Sequence, residues 1–187
     1  MDGIVTALVL ALLPFAQPPS ITDLDGRVRR PFTPSRAAAV LLFVSTDCPI
    51  SNAYAPEIQS VCRSSVARGV DCLVIYEDAQ VGVAQAREHR KAYGFGDIPA
   101  AVDARRTMAT AAGATITPEA VVIDKKGAVR YRGRIDDVYV DLGRRRPAPT
   151  THDLRDAIDA VVAGQGVPRQ STPALGCYIA PPWKAGK

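Results

Sequence analysis

Cys48 stands where the chain changes character. Ahead of it, Ala37 to Val44 is apolar without interruption, and beyond Pro49 the apolar residues Ala55, Ile58, Val61, Cys62 and Val66 recur at helical spacing over Asn52 to Arg68. A thiol at such a strand-to-helix junction faces backbone N–H groups that have no partner inside the helix. Those groups, with the helix dipole, favour the charged thiolate. A stabilised thiolate has a lowered pKa and is the nucleophilic form at neutral pH. Pro49 suits a first helical position, where its missing N–H costs nothing. Asp47 acts against this, because a neighbouring carboxylate raises a thiol pKa. The plain alternative is a small buried residue closing a strand, but the Cys-Pro pair favours the reactive thiol.

None of the four cysteines, Cys48, Cys62, Cys72 and Cys177, forms a CxxC pair, and no Cys/His group has the short spacing of a zinc site. The site is therefore monothiol locally, and its resolving partner must come from elsewhere in the chain or from a small thiol. Cys177, in the tail sequence TPALGCYIAPPW, is the internal candidate if the tail folds back. Cys62 lies on the helical stripe and Cys72 in an apolar strand, so both read as small packed hydrophobes. A bridge between them requires facing side chains that spacing does not fix. His89 and His152 have no partner at catalytic spacing and read as solvated surface residues. Arg130, Arg132 and Arg134 alternate and so share a strand face. Arg132 is a candidate for holding a thiolate or orienting a peroxide, against the alternative of a solvated edge arginine.

The elements that must position these residues follow from patterning. Ile21 to Thr33 alternates around Asp25-Gly26, a hairpin signal. The run AAAVLLFVS is apolar on both faces, as a central parallel strand is. Val70 to Tyr76 is a second buried strand, Val83 to Tyr93 a charged helix, and IPAAVD a short strand. A short helix follows over Arg105 to Ala112. Ala120 to Asp124 and Ala128 to Ile135 form a hairpin, and Thr151 to Ala163 is a last helix. The order predicts an α/β fold with a central mixed sheet and helices on both faces.

At 187 residues and 47% hydrophobic, the chain fits one domain with tails. A net charge of +4 without a basic face of stacking aromatics speaks against nucleic acid. Residues 1–19 form a signal-like apolar segment, with Asp2 and Pro14 departing from the usual pattern; an uncleaved anchor is the alternative. The expected domain spans residues 20–165, and residues 166–187 form a Pro/Gly-rich, irregular tail carrying Cys177. Export to the periplasm or another extracytoplasmic space of a bacterium follows from the leader, with no stable membrane span beyond that segment.

A strand ending in cysteine at a helix start, a later Thr-Pro before a hairpin and a closing helix resemble the thioredoxin superfamily. TDLDGRVRRPFT resembles the N-terminal hairpin of its redoxin branch, the alkyl hydroperoxide reductase/thiol-specific antioxidant family. DCPISNAYAPE, TPEAVVIDKKGAVRYRGRIDD and GCYI resemble exported bacterial redoxin-domain proteins. The resemblance implies a thioredoxin-like fold with an N-terminal β-hairpin. It also implies that Pro118 is cis beside Cys48 and that Thr117 offers backbone hydrogen bonds to a bound thiol or peptide. Two departures matter. Ser51 replaces the second cysteine of the thioredoxin motif, and Leu41 and Ser45 replace the proline and threonine of the peroxiredoxin motif.

The reading is a thiol-dependent oxidoreductase acting in redox homeostasis or antioxidant defence. Cys48 is the nucleophile and Cys177 the second catalytic cysteine, with Ser45, Pro49, Ser51, Thr117, Pro118 and Arg132 around the substrate. No cofactor and no metal are expected; the partners are protein or small-molecule thiols, disulfides or peroxides. The alternatives are a Sco-like copper-binding assembly protein, although Asn52 stands where its second cysteine belongs, and a redox-silent thioredoxin-fold binding domain.

Overall fold

Ala38–Val44 is apolar at every position because every position is buried; none exceeds 2% exposure. In the computed structural model, which describes residues 17–78 and 80–179, this segment is the centre of the sheet. The leader up to residue 16 and the tail beyond residue 179 lie outside the described residues.

The first elements are β1 (Ile21–Thr22), β2 (Val28–Arg29), β3 (Ala38–Val44), α1 (Pro49–Ala53), α2 (Ala55–Val66), β4 (Val70–Tyr76), α3 (Val83–Ala92) and β5 (Ala100–Val102). Then come α4 (Thr107–Ala112), β6 (Ile116–Thr117), β7 (Glu119–Asp124), β8 (Val129–Gly133), β9 (Tyr139–Asp141), β10 (Arg144–Arg145), α5 (Asp153–Val162) and β11 (Cys177–Tyr178). The main sheet has the order β5-β4-β3-β7-β8. β3, β4 and β5 run parallel, and β7 and β8 run antiparallel to their neighbours, so the sheet is mixed.

Alternation along β3 divides the interior in two. Val40, Leu42 and Val44 join Ile58, Val61, Ala86, Leu154 and Ile158 of α2, α3 and α5. Leu41 and Phe43 join Ile75, Val121 and Met108 of α4 on the opposite face. A strand covered on both sides gains no advantage from polar residues at any position, which explains the unbroken apolar run. At the amino end, Asp23 fixes the β1–β2 turn by accepting from the Asp25 and Arg27 amides (3.0 and 2.8 Å) and from Arg29 Nε (2.7 Å).

Four details depart from expectation. The helix foreseen over Asn52 to Arg68 is two helices broken at Tyr54. Pro56, in the first turn of α2, has no N–H to continue the ladder from α1. Cys62 and Cys72, expected as separate packed thiols, form a disulfide with Cα atoms 5.5 Å apart. α2 packs against β4, the strand that follows it in the chain, and this packing presents the two sulfurs to each other. The tail is not irregular throughout: Cys177–Tyr178 forms a strand, and Ser171 bridges to Arg132 of β8. His89 is buried rather than solvated, because Ala86 and His89 share the inner face of α3.

The bridge closes a short loop, so its contribution is set by loop-closure entropy. Replacing both Cys62 and Cys72 by Ala is expected to lower unfolding free energy by about 2–3 kcal/mol. Equilibrium urea denaturation of the two proteins, both carrying Cys48→Ser and Cys177→Ser and held without reductant, checks this.

Candidate active site

β3 ends at Val44, and four residues later Cys48 is the N-terminal flank of α1, in extended conformation with Pro49 in the first turn. α1 is only five residues long, so specific donors, more than a helix dipole, govern the sulfur. Cys48 is fully buried (0% exposed). As a thiol, its Sγ donates to the Thr117 carbonyl at 3.2 Å. Thr117 is the last residue of β6, and the Thr117–Pro118 peptide bond is cis. This bond and the parallel-strand end thus converge on one sulfur from segments 69 residues apart.

Cys177 completes the group. β11 pairs antiparallel with β6, Cys177 opposite Thr117 and Tyr178 opposite Ile116. Thr117 Oγ1 donates to the Cys177 carbonyl (3.3 Å), and the Ile179 amide donates to the Thr115 carbonyl (2.9 Å). Cys48 and Cys177 are both unbridged, one buried and one exposed. Their acidities diverge. Burial pushes the Cys48 thiol up, but hydrogen bonds from the Cys177 thiol, from the Ser51 amide and hydroxyl and from the Cys177 amide outweigh it, leaving Cys48 below its ordinary value. Cys177 is pushed up to about 11, by burial first and then by donating to and sitting beside the Cys48 sulfur. Cys48 is the more acidic of the two thiols.

The loop between Val44 and Pro49 is held from below. The Ser45 hydroxyl donates to Asp78 Oδ1, and the Thr46 amide donates to Asp78 Oδ2 (2.8 Å). Ser45 is therefore committed to Asp78, while its amide donates to the buried Ser51 hydroxyl (3.4 Å). Asn52 Nδ2 donates to the Thr46 carbonyl (2.9 Å), and Asn52 Oδ1 meets His89 Nε2 (2.9 Å), whose Nδ1 faces the Tyr76 hydroxyl (3.1 Å). Burial holds the His89 pKa low, so the neutral ring donates to Asn52 and accepts from Tyr76. Asp78 and this Asn52–His89–Tyr76 brace escape sequence reasoning; the acidic pair following a buried strand was the available signal.

Arg132 is placed differently from a thiolate partner. Its guanidinium donates to the Gly113 carbonyl (2.7 Å) and lies 3.8 Å from Glu119, whose Oε2 accepts from the Thr115 amide (2.7 Å). It braces the turn that leads into Thr117. Arg130 and Arg134 face Asp124 and Asp153. Two cavities of about 400 Å³ lie at the far end of the sheet, around Arg36 and Asp71 and beside Cys62 and Phe95; neither includes Cys48.

As for metals, Glu57, Asp136 and His152 bring ligand atoms within 4.8 Å of one another. Glu57 Oε1 already accepts from Arg155 (2.8 Å) and Asp136 Oδ1 from Tyr54 (2.6 Å). Among the described residues, no histidine joins Cys48 and Cys177 in such a group.

A model of the AhpC/TSA family matches residues 20–132, which is more than half of the chain. The chain belongs to the AhpC/TSA family. It is thereby a member of the redoxin branch of the thioredoxin superfamily. None of the curated proteins matches it in sequence. Among solved structures, a hypothetical protein of Sinorhizobium meliloti 1021 is 29% identical, with 89% of this chain and 91% of that one covered and a TM-score of 0.73. An uncharacterised conserved protein of Geobacillus kaustophilus is 26% identical over 92% and 93% of the two chains, with a TM-score of 0.74. A secreted Mycobacterium tuberculosis disulfide oxidoreductase shares the fold at 19% identity, covering 79% and 96%, with a TM-score of 0.53.

Two outcomes follow for this redoxin. Ser51→Ala removes one donor to the thiolate and is expected to slow Cys48 alkylation at pH 7 by about tenfold, since a hydrogen bond to a charged group contributes about 1.5–3 kcal/mol. Stopped-flow alkylation in a Cys177→Ser background reads it. The second concerns Glu77, at the end of β4, whose carboxylate oxygens are buried without a hydrogen-bond partner. Burial, followed by the charge of Asp103, pushes its pKa up to about 9. The folded protein keeps this proton while the unfolded chain, with a glutamate pKa of about 4.3, has released it. Rising pH between those values therefore favours unfolding, and the loss levels off above the folded pKa. Glu77→Gln is expected to be more stable than wild type at pH 8 by about 1 kcal/mol or more, and close to it at pH 4. Thermal melts at the two pH values test this.

Proposed function

We propose that this redoxin is an exported thiol oxidoreductase in which Cys48 attacks and Cys177 resolves. The observation that carries the reading is the meeting of the two cysteines over Thr117, with the buried sulfur the more acidic and the exposed one protonated.

With a hydroperoxide, the Cys48 thiolate attacks the distal oxygen. The O–O bond breaks, the alkoxide leaves and takes a proton as the alcohol, and Cys48 becomes a sulfenic acid. Cys177 then attacks the Cys48 sulfur, forming the S–S bond and releasing water. With a disulfide, Cys48 forms a mixed disulfide and expels one thiolate. Cys177 then displaces the second thiol and the same Cys48–Cys177 bond results. Either way two protein thiols are oxidised and one substrate is reduced by two electrons; an external dithiol returns the protein to its starting state.

The pKa divergence fits these roles. The more acidic sulfur is the attacking group at neutral pH, and it is also the better leaving group when the Cys48–Cys177 bond is reduced. Ser51, Pro49, Thr117 and Pro118 shape the sulfur's surroundings. Ser45 acts through Asp78 and Arg132 through the loop ahead of Thr117, as positioning residues. Export is supported by the Cys62–Cys72 bridge, since structural disulfides belong to oxidising compartments, and by the secreted character of the M. tuberculosis neighbour. Among the described residues no helix is long and apolar enough to cross a membrane.

Cys48→Ser is expected to abolish reduction of both hydrogen peroxide and a model disulfide, assayed with dithiothreitol as reductant. Without reductant, Cys177→Ser is expected to retain the first step and stall at a sulfenic acid or mixed disulfide, visible by mass spectrometry. Turnover by Cys48→Ser at the wild-type rate would overturn the assignment.

A further inference from the structure

The tail does more than deliver Cys177. It leaves α5, runs along the outer edge of β8 and then crosses to β6. At β8 the Arg132 amide donates to the Gln170 carbonyl (3.0 Å) and the Thr172 amide to the Arg132 carbonyl (3.1 Å). Thr172 is buried; the Arg134 amide donates to its Oγ1 (3.2 Å), and its hydroxyl meets that of Tyr131 at 2.6 Å. Tyr131 itself donates to the Arg134 carbonyl (2.6 Å), so Thr172 is the donor between the two hydroxyls. At β6 the strap pairs through Cys177 and Tyr178, and Ile179 packs on the apolar cluster of the α4 face.

Both crossings are closer than an ordinary side chain permits. A Cβ on Gly133 would lie 2.3 Å from the Thr172 carbonyl oxygen, and one on Gly176 would lie 2.0 Å from the Thr117 carbonyl oxygen. The second is the same carbonyl that accepts from Cys48. Gly176 thus sets how closely the strap can lie on β6, and through that, where Cys177 meets Cys48.

An extended protein segment reaching Cys48 along β6 needs the backbone edge that β11 already fills. We propose that the strap Thr172–Ile179 is a tethered occupant of that edge, which restricts the reduced site to small oxidants, a hydroperoxide or a low-molecular-weight disulfide, and that Gly176 is the positioning residue that seats it. Cys48 is fully buried and the exposed Cys177 lies beside it, so a small molecule reaches the sulfur by a smaller displacement than that of the whole strap. A protein disulfide must strip the strand pairing, the Ile179 contact and the crossing at Gly176 together. Local openings of such different extent differ steeply in free energy. The step chemistry is that given above, and the substrate restriction rests on that reading of Cys48 and Cys177.

Accessibility is measured first, without turnover. In the full chain carrying Cys177→Ser, with Cys62 and Cys72 bridged, Cys48 is the thiol to be labelled. Its alkylation rate is taken with iodoacetamide and with a maleimide carried on a long polyethylene glycol. With the strap seated, the small reagent is expected to be strongly preferred. Adding Gly176→Ala is expected to cut that preference by about tenfold or more, by unseating the strap. Ile179→Ser releases the strap through a different contact and is expected to act the same way, so it decides the matter if Gly176→Ala does not fold. An unchanged preference in the folded variants overturns the strap as a barrier, whatever the fate of the oxidoreductase reading.

With Cys177 restored, wild type is expected to reduce hydrogen peroxide or cystine faster than a folded protein disulfide. Gly176→Ala is expected to narrow the gap and accumulate Cys48 sulfenic acid, trapped by dimedone. Equal wild-type rates on the small and the protein substrates would overturn the proposed restriction. Loss of turnover in wild type, with the labelling preference intact, would remove the oxidoreductase reading and leave the barrier standing.

Discussion

The Thr117 carbonyl is the point on which the site depends. It accepts from Cys48 Sγ, and it is crowded by the backbone of Gly176. Its residue pairs with Cys177 across the β6–β11 ribbon. Three segments remote in sequence are registered to each other through this one peptide group. Its own position is secured by Glu119, which accepts from the Thr115 amide, and by the Arg132 brace on the Gly113 carbonyl. Displacing the loop would change the height of the buried sulfur, the seat of the exposed one and the gap between them at the same time.

The division of labour between the two sulfurs is a matter of which donors point where. Burial alone would leave both thiols protonated. Cys48 is relieved by donors gathered around it, and Cys177 is itself one of those donors. The acidity of the buried thiol is therefore set in part by its exposed neighbour. The loop beneath, tied to Asp78 and to the Asn52–His89–Tyr76 chain, keeps Ser51 in register for the same task. These supporting groups act by fixing geometry.

Much of this architecture was legible in sequence because it follows from periodicity. A run apolar on both faces has to be a central strand, and its abrupt end at Cys48-Pro49 marks the candidate site without reference to any partner. The AhpC/TSA resemblance rested on the same stretches. What escaped was non-local. The α2–β4 packing angle that joins Cys62 to Cys72 has no signature in residue spacing. His89 looked solvated because its neighbours are charged, yet one helical turn separates it from Ala86 on the buried face. The tail seemed irregular because its strand is two residues long and flanked by Pro and Gly; it exists because β6 offers an edge, and nothing local encodes that edge. Arg132 alternates as a strand residue should, but alternation gives a face and not a partner.

The separation of 60 residues between Thr117 and Cys177 also has a temporal meaning. Every strand of the main sheet lies ahead of α5 in the chain, so the sheet is complete in synthesis before the strap exists. Closing so long a loop carries an entropic cost that the contacts of the ribbon must offset. Cys48 is therefore made well before Cys177, and the two can meet only once the residues between them exist. The cover over Cys48 thus comes from a segment made after the whole of the main sheet.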